Sequence, residues 1–94
     1  MNDSAPMTMR IVTPAGIAAE AACDSAVLYL RDDAGGKNGG LTGIWKDHAS
    51  AVMALGPGPA RATLGGETVL ETVVSGGFAS VRDNVITVVT DTVG

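Results

Sequence analysis

The sequence is poor in the residue types that support covalent cross-linking, aromatic packing and membrane insertion. Cys23 is the only cysteine among the 94 residues, so no disulfide can form within the chain. Aromatic residues make up only 3% of the sequence, and no stretch approaches the roughly 20 apolar residues that a membrane span requires. We therefore expect a core built from aliphatic side chains and no direct insertion into a membrane.

Positive charge is also scarce. Six Lys and Arg residues against ten Asp and Glu residues give a net charge of -4. Because a negatively charged surface repels phosphate backbones, we expect no nucleic-acid partner. The first ten residues are polar and lack the apolar centre of a signal peptide, which predicts a protein that is made and kept in the cytoplasm.

The sequence does contain many glycines and many β-branched residues. Thirteen glycines and a hydrophobic fraction of 46% in so short a chain predict one small, turn-rich domain. Short strands separated by glycine-rich turns predict an all-β fold, either a small antiparallel β-sandwich or a flattened barrel, over residues 7–94. Residues 1–6 are expected to form a flexible N-terminal tail.

The clearest local signal is a β-hairpin near the C-terminus. Asp83 and Asn84 are the non-glycine types that best tolerate the left-handed backbone of a two-residue turn, and β-branched runs flank them. With these residues at the tip, the alternation of side chains places four apolar residues on one buried face. These predicted core residues are Ala79, Val81, Ile86 and Val88.

A second hairpin is predicted between strands at residues 60–64 and 67–74. Gly65 and Gly66 suit the two-residue turn that would join these strands. Both faces of the second strand carry apolar residues, which is typical of a strand inside a sandwich or beside a partner.

Two further segments predict bends. Gly76 and Gly77 predict a kink or bulge before the first strand of the C-terminal hairpin, because they lack Cβ atoms and permit positive φ. Residues 56–59 read Gly-Pro-Gly-Pro and predict a stiff corner ahead of the second hairpin.

The first third of the chain gives one clear signal and one ambiguous signal. Residues 7–13 alternate in polarity and predict a strand with Met7, Met9 and Ile11 on one face. Residues 17–30 are rich in alanine, which favours a helix on intrinsic propensity, although their second half has the composition of a strand.

Two segments resemble a known family. Residues 74–93 read VSGGFASVRDNVITVVTDTV, close to the pattern VSGGFxEVxxNxVTVLADTA of the epsilon subunit of rotary F-type ATP synthases. Residues 41–55 are similar to the family's segment GxLGILPGHAPLLTAL. The resemblance covers about residues 9–92, with gaps at the loop of residues 31–40, and it implies a β-sandwich with two strands in residues 17–30. The matching positions of the second segment are Gly43, Ile44, His48 and Ala49.

The resemblance implies a non-catalytic subunit of the central stalk of an ATP synthase that translocates H⁺ or Na⁺. It implies the gamma subunit and the membrane c-ring as partners, no metal or other cofactor, and a peripheral location on the cytoplasmic face of the bacterial inner membrane. The family's segment at residues 41–55 rests on polar loops of the ring, which makes Leu41, Trp45 and His48 the candidates for ring contact. Leu41 stands where the family usually has an acidic residue, and Lys46 and Asp47 stand where it usually has a rigid Pro-Gly turn.

Family members continue beyond the Asp-Thr pair into a charged helical hairpin that regulates ATP hydrolysis. In this sequence Asp91 and Thr92 are followed by only Val93 and Gly94. A naturally shortened form and a piece of a longer chain both remain open, and in either case the residues that would carry this regulation are absent from the sequence.

Two other classes of function are weighed against the stalk subunit. A free-standing β-sandwich module that binds a ligand or a protein is suggested by the glycine-rich loop at residues 31–40 and by Trp45. A small hydrolase would require His48 and Ser75 to lie within hydrogen-bond reach of each other. The hydrolase is disfavoured because Ser75 lacks the glycine two positions earlier that a nucleophile elbow requires.

Overall fold

The computed structural model describes residues 7–31 and 40–94, and every regular element in these ranges is a β-strand. The all-β prediction is therefore confirmed. The predicted tail at residues 1–6 and most of the glycine-rich loop, residues 32–39, lie outside the described residues. The strands are β1 (Met7–Thr13), β2 (Gly16–Cys23), β3 (Ser25–Leu30), β4 (Gly40–Trp45), β5 (Ala51–Leu64), β6 (Glu67–Val74), β7 (Gly77–Arg82) and β8 (Val85–Val89).

The strands form one curled sheet in which β5 has three partners. Hydrogen bonding gives the order β2-β1-β8-β7-β5-β3-β4, and β6 also pairs with β5. The first part of β5 pairs with β7, whereas its later part pairs with β6 and β3. We call β2-β1-β8-β7 with the start of β5 the first layer, and β6, β3 and β4 with the rest of β5 the second layer. Buried side chains from both layers form one core.

The Gly-Pro-Gly-Pro corner lies inside β5 and does not separate two strands, which corrects the predicted boundary of the second hairpin. The register between β3 and β5 shifts there, so β5 bends as it passes from one layer to the other. Tyr29 packs over the bend, since a Cβ atom at Gly56 or Gly58 would lie 3.1 or 3.0 Å from Tyr29 Cδ2. The absence of these two side chains lets the tyrosine cover the bend.

One strand pair departs from a fully antiparallel sandwich. β1 and β8 are parallel, with Thr8 beside Val85 and Val12 beside Val89. A parallel pair needs a long connection, and β1 and β8 meet this requirement because six strands lie between them in the sequence. The remaining strand pairs of the described residues are antiparallel.

The C-terminal hairpin has the predicted register and the predicted turn. Val81 lies opposite Ile86, and the two tip residues, Asp83 and Asn84, have φ angles of 53° and 64°. The alternation that follows from this register places the expected side chains in the core. The four predicted core residues are all buried: Ala79, Val81, Ile86 and Val88.

The glycine pairs also adopt the predicted conformations. Gly65 and Gly66 form the turn between β5 and β6 with φ angles of 61° and 85°. Gly76 and Gly77 have φ angles of 122° and 111°, which a residue with a side chain rarely adopts. A Cβ atom at Gly77 would also overlap the carbonyl oxygen of Val89. Both the positive φ and this close approach therefore require glycine at position 77.

The alanine-rich segment forms β2 and β3, as the family resemblance implies, and not the helix that its propensity favours. β2 pairs with β1 along its whole length, so the neighbouring strand supplies the backbone hydrogen bonds that a helix would have made internally. The predicted inward face of β1 is confirmed, because Met7, Met9 and Ile11 are all buried.

Val81→Asp tests the assignment of the core face. Val81 is 2% exposed, so the substitution buries an unpaired carboxylate. We expect it to remove several kcal/mol from a stability of about 5 to 10 kcal/mol and to lower the urea concentration at the unfolding midpoint by a large fraction. Urea unfolding of Val52→Asp is the matched control, because Val52 is 76% exposed and the change should cost less than about 1 kcal/mol. Equal loss of stability in both variants would contradict the assignment.

The buried Cys23 thiol should make the free energy of unfolding depend on pH in the alkaline range. Burial raises the pKa of the Cys23 thiol from 9.0, and the neighbouring Asp24 carboxylate raises it further. Above that ordinary pKa the unfolded chain loses the thiol proton while the folded chain keeps it, so the free energy of unfolding falls as pH rises. We expect Cys23→Ala to make this decline shallower above about pH 9, as measured by urea unfolding at a series of pH values. Parallel pH profiles for the two proteins would contradict the assignment.

Candidate functional site

Two of the three predicted ring-contact residues lie on the outer face of β4, which is at one end of the strand order. Leu41 and Trp45 are 66% and 63% exposed, whereas Ile44 points into the core. Leu41 lies opposite Tyr29 on β3, and Trp45 lies four residues further along, about 13 Å away at the strand rise. Two large apolar side chains are thus exposed to solvent on one short strand.

The indole of Trp45 folds back along β4 and covers Gly43. A Cβ atom at Gly43 would lie 2.7 Å from Trp45 Cη2, closer than such atoms approach in real structures. Gly43 therefore leaves space for an orientation of Trp45 that alanine would disturb. Because the indole is largely exposed, its position has a greater effect on the shape of the outer surface than on the core.

His48 lies in the loop that follows β4, residues 46–50, all of which are exposed. Its N–H donates to the Trp45 carbonyl oxygen at 3.1 Å, and its Nδ1 atom lies 2.7 Å from the Ala49 carbonyl oxygen. The structure therefore brings Trp45 and His48 into a single turn. Leu41 is not part of this turn, since it lies near the other end of β4.

The loop is tied to the tip of the C-terminal hairpin. Asp47 has a φ of 64°, and its N–H donates to Asn84 Oδ1 at 2.7 Å. Asn84 Nδ2 lies 3.4 Å from Asp47 Oδ1, and the Asn84 carbonyl oxygen accepts the Thr8 N–H at 3.0 Å. The sequence pattern predicts only a turn at Asn84 and does not indicate these contacts. The sequence feature that could have indicated them is Asp47, which stands where the family usually has a glycine. Asp47 adopts the positive φ that a glycine allows, and such a residue needs contacts that hold it there.

A second exposed apolar surface crosses the outer face of the first layer. Cross-strand pairing places five apolar residues side by side, one from each of β2, β1, β8, β7 and β5. At a strand spacing of about 4.8 Å this row is roughly 19 Å long. Two of its members, Ile17 and Phe78, are 61% and 47% exposed. The five-strand row consists of Ile17, Val12, Val89, Phe78 and Ala54.

Each layer carries an ion pair between two neighbouring strands. Arg10 Nε lies 2.6 Å from Glu20 Oε2 on the first layer, and Arg61 Nε lies 3.2 Å from Glu71 Oε2 on the second. Both pairs are exposed to solvent, so each contributes at most about 1 kcal/mol to folding.

The described residues do not form the catalytic arrangement that a hydrolase would need. The Ser75 hydroxyl is paired with the Thr90 hydroxyl at 3.1 Å and accepts the Thr92 N–H at 3.2 Å. No hydrogen bond joins Ser75 to His48 in the part of the chain that the structure describes, which contradicts the hydrolase hypothesis. Within the same ranges, no three His, Cys, Asp or Glu side chains are grouped so as to hold a metal ion.

The concave surface at the bend of β5 is shallow. An open depression of about 290 Å³ is lined by Tyr29, Arg31, Gly56 and Pro57. Its lining offers the phenol ring of Tyr29 and the guanidinium group of Arg31. Among the described residues, no helix could serve as a membrane span.

The chain matches the family model described as the beta-sandwich domain of the ATP synthase delta/epsilon chain over residues 6–94. No curated protein sequence is significantly similar to it. Its fold is similar to a chain of the Euglena gracilis mitochondrial ATP synthase OSCP/F1/c-ring structure, with a TM-score of 0.74 and 20% identity, over all of this chain and 56% of that one. It is also similar to a chain of the Tetrahymena thermophila mitochondrial ATP synthase central stalk/c-ring structure, with a TM-score of 0.70 and 16% identity, over 95% of this chain and 66% of that one.

The chain thus spans less than two thirds of each of these neighbours, and the low identities show a shared fold. The family model, in contrast, accounts for nearly every residue, including the C-terminal hairpin and the segment that carries Trp45 and His48. The chain belongs to the ATP synthase delta/epsilon chain family, in which it corresponds to the beta-sandwich domain.

Proposed function

We propose that the protein is a non-catalytic component of the central stalk of an F-type ATP synthase that translocates H⁺ or Na⁺. In this role it couples the gamma subunit to the membrane c-ring during ATP synthesis. The observation that carries the proposal is the family match over residues 6–94, together with two exposed apolar surfaces on one core. The two neighbouring structures, both ATP synthase assemblies that include the c-ring, support the same setting.

The ring contact is assigned to Leu41, Trp45 and His48. Trp45 and His48 share a turn beside the hairpin tip, and Trp45 provides a large apolar surface with a polar N–H. Leu41 replaces the acid that is usual in the family, so we expect this ring contact to be more apolar and less dependent on salt than a charged one.

The gamma subunit is assigned to the five-strand row. The row is apolar, and the nearby Arg10 guanidinium is paired with the Glu20 carboxylate, so its charge would not have to be desolvated alone on binding. Aromatic residues near the centre of such surfaces commonly carry much of the binding energy, and Phe78 is the aromatic member of the row. A side surface for gamma and a loop for the ring allow both partners to bind at once.

The domain would transmit torque mechanically and would not perform chemistry. A close-packed interior deforms little under load, and the shared strand β5 joins the two layers through the main chain. No cofactor is required for this role. We place the protein at the cytoplasmic face of a bacterial inner membrane, held there by its partners.

A free-standing binding module is the second candidate, favoured by the depression beside Tyr29 and by the exposed indole of Trp45. This candidate predicts a saturable change in Trp45 fluorescence on addition of a small molecule or glycan. A panel of such ligands that leaves the fluorescence unchanged would dismiss it.

Phe78→Ser tests the proposed gamma contact. Phe78 is half-exposed, so the variant should fold, and losing an aromatic anchor should weaken binding of the gamma subunit by at least about tenfold. Affinity for the purified gamma subunit encoded with this protein can be measured by calorimetry, with native mass spectrometry to show the complex. Val69→Ser is the matched control, because Val69 is 42% exposed but lies on β6. Failure of the unmodified protein to bind gamma would contradict the proposed function.

A further inference from the structure

We infer that Asn84 is a positioning residue, whose side-chain amide holds the loop at residues 46–50 in the orientation that the ring recognises. The inference rests on the proposed ring contact and adds to it a residue that does not touch the ring. Asn84 lies at the tip of the C-terminal hairpin, 36 positions beyond His48 in the sequence. Asn84 can therefore contact the loop only because the fold brings the two segments together.

Asn84 connects three segments of the chain. Its side-chain oxygen accepts the Asp47 N–H at 2.7 Å, and its side-chain nitrogen lies 3.4 Å from Asp47 Oδ1. Its carbonyl oxygen accepts the Thr8 N–H at 3.0 Å and so fixes the hairpin tip against β1. The loop is thereby tied to a tip that is itself held by the sheet.

The turn alone does not require this amide. A two-residue turn with positive φ at both positions accepts glycine as readily as asparagine. The turn would therefore form without the hydrogen bonds between the Asn84 side chain and Asp47. Asp47 benefits directly, because a non-glycine residue at a φ of 64° is strained and needs contacts that hold it there.

By holding Asp47 in place, Asn84 also restricts the positions of the residues that flank Asp47. Trp45 precedes it by two positions and His48 follows it, and the loop between them is exposed on every residue. Two hydrogen bonds lie within this turn, from the His48 backbone N–H to the Trp45 carbonyl and between His48 Nδ1 and the Ala49 carbonyl. Among the described residues, the contacts with Asn84 are the hydrogen bonds that connect the loop to another part of the fold. A loop ordered before binding loses less conformational freedom when the partner arrives.

Asn84→Gly separates positioning from folding. Glycine keeps the positive φ of the turn and the carbonyl that Thr8 uses, and it removes only the side-chain amide. We expect affinity for a detergent-solubilised c-ring, measured with the protein bound to its gamma subunit, to fall about tenfold, as the loss of one such hydrogen bond implies. Affinity for gamma should change little, and the melting temperature should fall by about 10 °C at most, so that the variant remains folded at 25 °C.

An exchange of the two side chains provides the rescue. Asn84→Asp alone keeps an acceptor for the Asp47 N–H but sets its carboxylate against the Asp47 carboxylate, so it should also weaken ring binding. Adding Asp47→Asn restores a donor and an acceptor in the reverse arrangement, and both residue types tolerate positive φ. We expect the double variant to recover ring affinity to within about threefold of the unmodified protein. A role confined to the stability of the turn would show no such recovery.

Hydrogen exchange at the Asp47 amide reports on the contact itself. In the unmodified protein this amide should be protected, and Asn84→Gly should increase its exchange rate without affecting the amides of β7 and β8. A fast-exchanging Asp47 amide in the unmodified protein, or ring affinity that Asn84→Gly leaves unchanged, would overturn the inference alone. Absence of ring binding by the unmodified complex would overturn the proposed function as well as the inference that rests on it.

Discussion

The bend in β5 joins the two layers of the sheet and determines how they enclose the core. At residues 56–59 the strand leaves β7 and joins β6 and β3, so that one strand belongs to both layers. Pro57 and Pro59 lack the N–H that a regular ladder would use, and proline is tolerated where a strand bends. Gly56 and Gly58 allow Tyr29 to cover the bend. Sequence and geometry thus agree on where the sheet curls over its core.

The curled sheet turns two apolar surfaces outward at different places. The first layer exposes the five-strand row, and β4 in the second layer exposes Leu41 and Trp45. The two surfaces share the buried core, whose largest members come from strands of both layers. A force applied at one surface therefore reaches the other through packed side chains and the continuous backbone of β5, which is the property that a coupling element of a rotor requires.

The sequence predicts the parts of this structure that are determined locally. The Asp83–Asn84 tip, the Gly65–Gly66 turn and the alternation in β1 follow from backbone preferences and periodicity, and all three are confirmed. Residues 17–30 show the limit of propensity, because pairing of β2 with β1 outweighs the helical preference of alanine. There the family resemblance gave the correct result.

Features set by long-range pairing are not predictable in this way. The parallel pair β1–β8 joins the two ends of the chain, and without it the five-strand row does not exist. Each member of the row is an ordinary strand residue in its own segment, and only the strand order brings them together. The contact between Asn84 and Asp47 is likewise tertiary, so the sequence showed a turn at Asn84 and an unusual residue at Asp47 without the hydrogen bonds between them.

If the two layers form one rigid, cooperative unit, native-state hydrogen exchange will show them opening together. β1 lies between β2 and β8 in the first layer, and β3 lies between β5 and β4 in the second layer. We expect the slowest amides of β1 and β3 to exchange with the same opening free energy, equal to that of global unfolding. An opening free energy for β3 lower than that for β1 by more than about 2 kcal/mol would show that the layers open separately and are not one unit.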